Sequence, residues 1–315
     1  MPLGRIIRAL IAEGQDIQMS LKTYFDETRP PFLLLTPVTY SVGIASAYIT
    51  GNFDVFRALL GLVGALLAHI SINVINDYFD YKSGLDLTTK PTPFSGGSGM
   101  LPSGTLESKN VYRFAMGSLI IGGAIGLYFA YTMGWMLLPL VAAVAISIYF
   151  YTPAFSHWYI GELVTGINFG PLMVLGGYFI MTGEYSYNAL AAGVIPGILV
   201  GTLLYLNEFP DMDADKGVGR RNLVISLGLE KASKVYVALI ASTFAWVVVA
   251  IALRLLPVTV LVTFITLPTA LKATKGVLRD HSDIGKLIPA MGANVTLTLN
   301  MTAWTTVGLL LSLLL

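Results

Sequence analysis

Two acidic clusters contain the residues of this chain that are best suited to chemistry. Each cluster opens with an asparagine four residues before an aspartate and continues with a second aspartate three or four residues later. The members are Asn73, Asp77 and Asp80 in the first cluster and Asn207, Asp211 and Asp215 in the second. On a helix these spacings place the side chains on one face. Carboxylates on one face repel one another, so the pattern favours a site for Mg²⁺ ions and a diphosphate.

The two clusters together predict a site with two metal ions. Mg²⁺ is usually held by one or two carboxylates and by phosphate oxygens of the substrate. We therefore predict that the two aspartates of each cluster hold one Mg²⁺ ion and that the asparagines, one helical turn deeper, bind the diphosphate or the metal. Two ions would make the diphosphate a good leaving group. Basic residues at the same end could add charge-assisted contacts; they are Arg29, Lys82, Lys90, Arg220 and Arg221.

The composition is that of a polytopic membrane protein. Only 12% of the 315 residues are charged and 55% are hydrophobic, whereas a soluble domain of this length has about 25% charged residues. The absence of cysteine excludes disulfides, iron–sulfur clusters and thiol catalysis. The net charge of +1 and the lack of a basic run give no reason to expect a nucleic-acid partner.

Nine apolar stretches have about the length that crosses a bilayer. They cover residues 32–50, 56–78, 112–132, 136–151, 160–182, 189–207, 235–255, 258–274 and 287–313. We therefore predict an all-α membrane protein with a single domain over residues 29–315. Residues 1–28 are expected to form a cytosolic amphipathic lead-in.

The basic residues predict the orientation. With the N-terminus in the cytosol, only Arg57 and Arg254 of the 19 basic residues fall on the outer side. Both acidic clusters then face the cytosol. Two inner loops, over residues 81–111 and 210–234, are expected to cap them.

A polyprenyl diphosphate is the substrate that suits a diphosphate site at the edge of a bilayer, because its tail is soluble in lipid and its head is not. Its ionisation would give an allylic cation, which must be shielded from water and can be stabilised by aromatic ring faces. Aromatic residues lie near the inner ends of the predicted second, fourth and sixth helices; they are Tyr78, Phe79, Tyr149, Phe150, Tyr151 and Tyr205.

The two acidic motifs resemble those of the UbiA superfamily of intramembrane aromatic prenyltransferases. The resemblance implies nine helices in a horseshoe around a central cavity, and Mg²⁺-dependent transfer of a prenyl group from its diphosphate to an acceptor. It further implies catalytic roles for Asp77 and Asp211, and a role for Tyr151 beside the cation. Residues 76–84 and Gly161-Glu162 are similar to the MenA, vitamin K₂-forming branch, which prenylates dihydroxynaphthoate in quinone biosynthesis.

Some positions depart from the wider family pattern. Gly84 stands where a third aspartate is common, with Asp86 close by, and Pro210 stands where an arginine is common. The acceptor therefore stays open between a ring of the quinone-precursor type, a haem and a glycerol-phosphate lipid. Prenyl length and oligomeric state are not predicted.

A divalent-cation transporter is the alternative function, with the same carboxylates as a transit site. Such a protein needs acidic residues near the bilayer midplane, whereas both clusters lie at the inner ends of their helices. Three further residues lie close to the clusters. We expect Glu208 and Asp213 to be solvated, because they lie off the cluster face, and His69 to be a hydrogen-bonded core residue.

Overall fold

The computed structural model describes residues 21–315, and every regular element in that range is helical. The predicted all-α fold is thus confirmed for this part of the chain. The predicted lead-in over residues 1–28 lies largely outside the described residues, and of its remainder residues 21–27 are helical.

The long helices are numbered here in chain order. They are α1 (Leu35–Tyr48), α2 (Val55–Ser83), α3 (Ser108–Met133), α4 (Leu138–Phe150), α5 (Gly161–Thr182), α6 (Tyr187–Gly217), α7 (Leu229–Ala252), α8 (Val258–Asp280) and α9 (Ile284–Leu314). Within the described range, α2, α3 and α5 to α9 are long and apolar enough to cross a membrane. Helices α1 and α4 have 14 and 13 residues. Seven of the nine predicted spans therefore have a helix of membrane-crossing length.

Helix α2 has well-defined ends and carries the first cluster in its last turns. It begins after Asp54, whose side chain accepts a hydrogen bond from the Arg57 backbone amide at 2.8 Å. It ends at Gly84, which has a φ of 82° and so adopts the left-handed conformation that glycine tolerates best. A helix terminator thus occupies the position where the resembled motif often has a third aspartate.

Helix α6 is longer than predicted. The sequence predicts an end near Asn207 and a loop from residue 210, but the helix continues through Pro210 to Gly217. Proline removes one backbone hydrogen bond, and here the burial of Phe209 and Asp215 on either side keeps the chain helical. As a result, the whole second cluster lies on one helix.

Helices α5 and α6 approach each other closely through glycines. A Cβ atom on Gly170 would lie 2.4 Å from the Gly193 carbonyl oxygen, and one on Gly166 would lie 2.7 Å from that of Gly197. Small residues allow membrane helices to pack at such short distances. A π-helical turn over Asn168–Leu172 interrupts α5 at this contact. The contact fixes the first half of α5 against the first half of α6.

A cavity of about 390 Å³ lies between α2 and helices α3 to α6, as the resemblance implies. One face of α2 lines it through Gly61, Gly64, Ala65, Ala68, His69, Ile72, Asn73, Asn76 and Asp80. From Gly61 to Asp80 that face runs about 28 Å at 1.5 Å per residue. The cavity is therefore long, apolar at one end and polar at the end that holds the clusters.

Candidate active site

Arg220 joins the two acidic clusters. Its Nη1 donates to Asp215 Oδ1 at 3.0 Å, and its Nη2 donates to Asp80 Oδ1. Burial alone would lower the pKa of Arg220, but the charges of Asp80 and Asp215 outweigh burial and raise it. The guanidinium is thus a permanent positive charge between the carboxylates of α2 and α6. Arg220, for which the sequence predicts a contact with the diphosphate, lies among the aspartates.

Asp80 is also held by residues that the sequence analysis missed. Asn76 Nδ2 donates to Asp80 Oδ2 at 2.8 Å, and Thr152 Oγ1 donates to Asn76 Oδ1 at 2.9 Å. Asn76 precedes Asp80 by four residues, as Asn73 precedes Asp77, so the signal was present in the spacing. Thr152 lies in the loop after α4, where nothing in the sequence marked it.

Asp77 is buried, and only one of its two carboxylate oxygens accepts a hydrogen bond. Its Oδ2 accepts from the Ser98 backbone amide at 2.7 Å. Its Oδ1 has no hydrogen-bond partner among the described residues and lies 3.9 Å from Arg29 Nη1. A buried carboxylate oxygen without a hydrogen bond costs free energy, so a cation at this oxygen would stabilise it.

A glycine-rich loop, residues 91–99, lies over both clusters. It reaches the first cluster through the Ser98 amide and the second through Ser95 Oγ, which donates to Asp211 Oδ1 at 3.2 Å. Gly97 has a φ of 72°, and a Cβ atom there would lie 3.4 Å from Asp77 Oδ1. Glycine therefore lets the backbone approach the carboxylates.

The same loop contacts the chain before α1. Ser98 Oγ donates to Glu27 Oε2 at 2.6 Å. Burial, followed by the charge of Asp77, raises the pKa of Glu27 from 4.5 to about 7. Similarly, burial and the charges of Asp80 and Asp77 raise the pKa of Asp86 from 3.8 to about 8. The polar end of the cavity thus carries more acidic groups than its positive charges compensate.

The second cluster is held by the loop that follows α6. Asn222 Nδ2 donates to Asp215 Oδ2 at 3.2 Å, while Asn222 Oδ1 accepts from the Ile225 amide and caps the short helix Leu223–Leu227. Asn222 is buried and lines the cavity. Sequence reasoning did not single it out, because an isolated asparagine in a loop has no diagnostic spacing.

The other predicted residues that line the cavity are Arg29, Asn73, Tyr151, Asn207 and Arg221. Asn73 Nδ2 donates to the Thr28 carbonyl at 3.0 Å, so its amide also anchors the chain that enters α1. Burial, followed by the charge of Glu208, raises the pKa of Tyr151. The Tyr151 hydroxyl therefore stays protonated.

Lys82 and Lys90 are exposed and do not line the cavity. The Lys82 Nζ lies 5.8 Å from the centroid of the Tyr78 ring. Of the aromatic residues proposed to stabilise a cation, only Tyr151 lines the cavity. Phe79 and Tyr149, for example, pack against each other with centroids 6.1 Å apart. The direction of these side chains depends on helix rotation, which the sequence did not specify.

The structure tests the predictions made for three residues close to the clusters. His69 is a hydrogen-bonded core residue, as predicted, with Nδ1 2.7 Å from Thr36 Oγ1. Asp213 is exposed, as predicted. The prediction that Glu208 is solvated is wrong, because Glu208 lines the cavity and its Oε2 is buried. The close packing of α5 against α6 covers the face on which Glu208 lies.

The donor set suits Mg²⁺. In the described part of the chain, no three His, Cys, Asp or Glu side chains lie close enough to surround one ion by themselves. Each cluster instead offers two carboxylates and an amide oxygen, and Mg²⁺ in proteins takes one or two carboxylates with substrate phosphates completing its shell. Asp77 Oδ1, which has no hydrogen-bond partner among the described residues, is a ligand of the correct kind.

Comparison with known proteins gives related sequences with named activities. A protein of Bacillus subtilis (strain 168), named 1,4-dihydroxy-2-naphthoate octaprenyltransferase, is 27% identical over 265 residues, which are 83% of this chain and 84% of the relative. A 2-carboxy-1,4-naphthoquinone phytyltransferase of Synechocystis sp. is 25% identical over 82% of this chain and 84% of the relative. These relatives are transferases and give no support to the cation-transporter alternative.

Solved structures share the fold. The apo structure of a UbiA homologue from Aeropyrum pernix K1 aligns with a TM-score of 0.68 at 17% identity, over 88% of this chain and 98% of that chain. A UbiA homologue from Archaeoglobus fulgidus bound to GPP and Mg²⁺ aligns with a TM-score of 0.56 at 16% identity, over 90% and 99%. The model of the UbiA prenyltransferase family matches residues 35–298, most of the sequence, and this chain therefore belongs to that family.

Proposed function

We propose that this protein transfers a polyprenyl group from its diphosphate to an aromatic acceptor of the quinone-precursor type. The observation that carries the proposal is the pair of carboxylate clusters that Arg220 joins at the polar end of a long apolar cavity. The activities named for the Bacillus subtilis and Synechocystis relatives support an aromatic acceptor.

The cavity suits a prenyl diphosphate in both length and polarity. Its deep end is lined by Gly61, Gly64, Ile125 and Leu140, and its other end by Asp80, Asp211 and Asp215. A prenyl tail along α2 would bury apolar surface, which contributes about 25 cal/mol per Å². The diphosphate would then lie beside Arg220 and below the glycine-rich loop.

Two Mg²⁺ ions, one at each pair of aspartates, are part of the proposal. The solved homologue bound to GPP and Mg²⁺ supports the use of this metal. Bound Mg²⁺ would supply the charge that neutralises the diphosphate and makes it a good leaving group. Asp77 and Asp80 would hold one ion, and Asp211 and Asp215 the other. Arg220 and Arg29 lie close enough to these aspartates to contact the diphosphate oxygens as well.

In the transfer step, the bond between the prenyl C1 and the diphosphate oxygen breaks, and its electron pair leaves with the diphosphate. A ring carbon of the acceptor bonds to C1 and releases its proton or the group that it carried. The cavity wall excludes water from the allylic cation, and the Tyr151 ring can stabilise the cation. The glycine-rich loop would cover the diphosphate during this step.

We further propose that all nine long helices cross the membrane, with the N-terminus and both clusters on the cytosolic side. The distribution of basic residues supports this orientation. The short helices α1 and α4 are each extended by a preceding turn, Pro30–Leu33 before α1 and Trp135–Leu137 before α4. Residues 29–315 would then form one membrane domain.

Diphosphate release tests the proposal directly. Purified protein in detergent is given geranylgeranyl diphosphate, with and without Mg²⁺, and either a dihydroxynaphthoate, a hydroxybenzoate or a glycerol-phosphate lipid. We expect release that requires both Mg²⁺ and an aromatic acceptor. Release that requires only the glycerol-phosphate lipid would contradict the assigned acceptor class, and no release with any acceptor would contradict the transferase assignment.

A further inference from the structure

Two glutamates that the proposed reaction has not yet used face the same cavity. Glu162 lies in the first turn of α5 and Glu208 near the end of α6, and both line the cavity. Glu162 is only 7% exposed. The Oε2 atom of each glutamate is buried and has no hydrogen-bond partner among the described residues. An unpaired carboxyl oxygen in this position points to a missing donor.

The protein supplies few positive charges to this pair. Glu162 is the charged neighbour that acts most strongly on Glu208, and Asp215 adds further negative charge. The two glutamate side chains also share a hydrogen bond, so one of them carries a proton and the other keeps a negative charge. Arg220 attracts Glu208, but its guanidinium already donates to Asp80 and Asp215. Glu162 Oε1 accepts from the Leu223 amide at 3.1 Å, which leaves its second oxygen unsatisfied. Burying such oxygens costs free energy unless a ligand pairs with them.

The backbone holds the two glutamates at a fixed separation. A Cβ atom on Gly201 of α6 would lie 3.0 Å from the Glu162 carbonyl oxygen, and the Gly166–Gly197 contact lies one turn further along. The backbones that carry the two glutamates therefore cannot separate without breaking the α5–α6 packing.

We infer that Glu162 and Glu208 form the acceptor subsite, where they accept hydrogen bonds from the hydroxyl groups of a phenolic ring. The inference rests on the proposed function and names the chemistry that selects its acceptor. A ring hydroxyl supplies the missing donor, and donation to a carboxylate increases the electron density of the ring. The subsite therefore favours a ring with a hydroxyl donor over the same ring without one.

The subsite predicts discrimination between a hydroxylated ring and its methyl ether, which has the same ring but cannot donate. Sites built to bind a substrate hydroxyl reject analogues that lack the donor by large factors. We expect the wild-type kcat/KM to be about 100-fold higher for a dihydroxynaphthoate than for its methyl ether. A factor of this size corresponds to the free energy of one charge-assisted hydrogen bond. In Glu208→Leu, which removes the acceptor oxygens, this ratio should fall below about 10.

Two further variants separate binding from folding. Glu162→Gln keeps an oxygen for the Leu223 amide but removes the charge, and it should raise the acceptor KM about tenfold. Asp213→Asn, an exposed carboxylate on the same helix, should leave both the ratio and the KM unchanged. In every variant the Mg²⁺-dependent affinity for geranylgeranyl diphosphate should equal that of the wild type.

The outcomes distinguish the inference from the proposed function. If the wild-type protein transfers to aromatic rings without preferring the hydroxyl, or if Glu208→Leu keeps the full preference, the acceptor subsite is wrong and the proposed function stands. If the wild-type protein releases no diphosphate with any ring, both are wrong. Loss of geranylgeranyl diphosphate binding in Glu208→Leu and Glu162→Gln would assign the pair to the donor site and overturn the inference.

Discussion

Arg220 donates a hydrogen bond to Asp80 across 140 positions of the chain. The same guanidinium donates to Asp215, so a single side chain from the loop after α6 holds α2 and α6 together at the polar end of the cavity. Without this charge, the aspartates of the two helices would repel each other in a poorly solvated position. The loop residue is therefore as important for assembling the site as the aspartates are for its chemistry.

Arg220→Ala should destabilise the protein strongly. It leaves two buried aspartates without their partner, and loss of one member of a buried ion pair costs about 3–5 kcal/mol. We expect a lower melting temperature in detergent, and a larger increase with added Mg²⁺ than in the wild type, because a divalent cation can replace the missing charge.

Arg279→Ala is the matched control for this variant. Arg279 also pairs with an aspartate, Asp280, whose side chain is 7% exposed, but the arginine side chain itself is 80% exposed. An ion pair whose cation lies in solvent contributes about 1 kcal/mol, so this variant should melt much closer to the wild type than Arg220→Ala does, with or without Mg²⁺. Equal melting temperatures for Arg220→Ala and Arg279→Ala would refute the role given to Arg220.

Asp77→Ala should abolish transfer and leave the folded yield intact. Asp77 Oδ1 has no hydrogen bond among the described residues and can ligate a cation. Its loss should therefore lower kcat/KM for the prenyl diphosphate at least 100-fold, on the scale typical of electrostatic catalytic groups. Diphosphate release and gel filtration in detergent measure the two quantities. Asp213→Ala, at an exposed position, serves as the control. Turnover of Asp77→Ala at the wild-type rate would exclude Asp77 from the site.

Gly97→Ala should reduce turnover more than it reduces stability. Both Gly97 and Gly104 have positive φ angles, 72° and 71°. Alanine in that conformation costs about 1–2 kcal/mol at either position. A Cβ atom on Gly97 would contact Asp77, whereas one on Gly104 has no heavy atom within 4 Å. We therefore expect similar melting temperatures for the two alanine variants and a lower kcat for Gly97→Ala alone.

Glu27 should make stability depend on pH. Its pKa in the folded protein, about 7, is above its ordinary value of 4.5, because burial and the Asp77 charge disfavour the ionised form. The folded state then binds the proton more tightly than the unfolded state, so stability falls as pH rises from 4.5 to 7 and is level above that range.

Glu27→Gln keeps an acceptor for Ser98 and removes the titration. Between pH 4.5 and 7 the wild type should lose up to about 3 kcal/mol of unfolding free energy relative to the variant. This value follows from about 1.36 kcal/mol per unit of pKa shift. Melting temperatures measured in Mg²⁺-free detergent at several pH values test this, with the exposed Glu184→Gln as control. A pH profile of Glu27→Gln parallel to that of the wild type would count against the raised pKa.

The spacing within each cluster was enough to predict which carboxylates share a helix face. Residues three or four apart on a helix share a face whatever the surrounding fold, so Asp77 could be grouped with Asp80, and Asp211 with Asp215, from the sequence. The end of α6 could not be predicted, because Pro210 resembles a helix breaker and only tertiary packing keeps it helical. Glu208 was misplaced for a related reason, since its burial depends on the distant glycines of α5.

The contact between α5 and α6 limits how this cavity can diverge. A single methyl group on Gly166 or Gly170 would overlap a carbonyl oxygen of the facing helix, so the spacing between the two backbones cannot widen in small mutational steps. New substrate preferences must arise from side chains that point inward, while the scaffold itself stays constant. Libraries that aim to change the substrate should therefore keep these glycines and vary the lining residues around them.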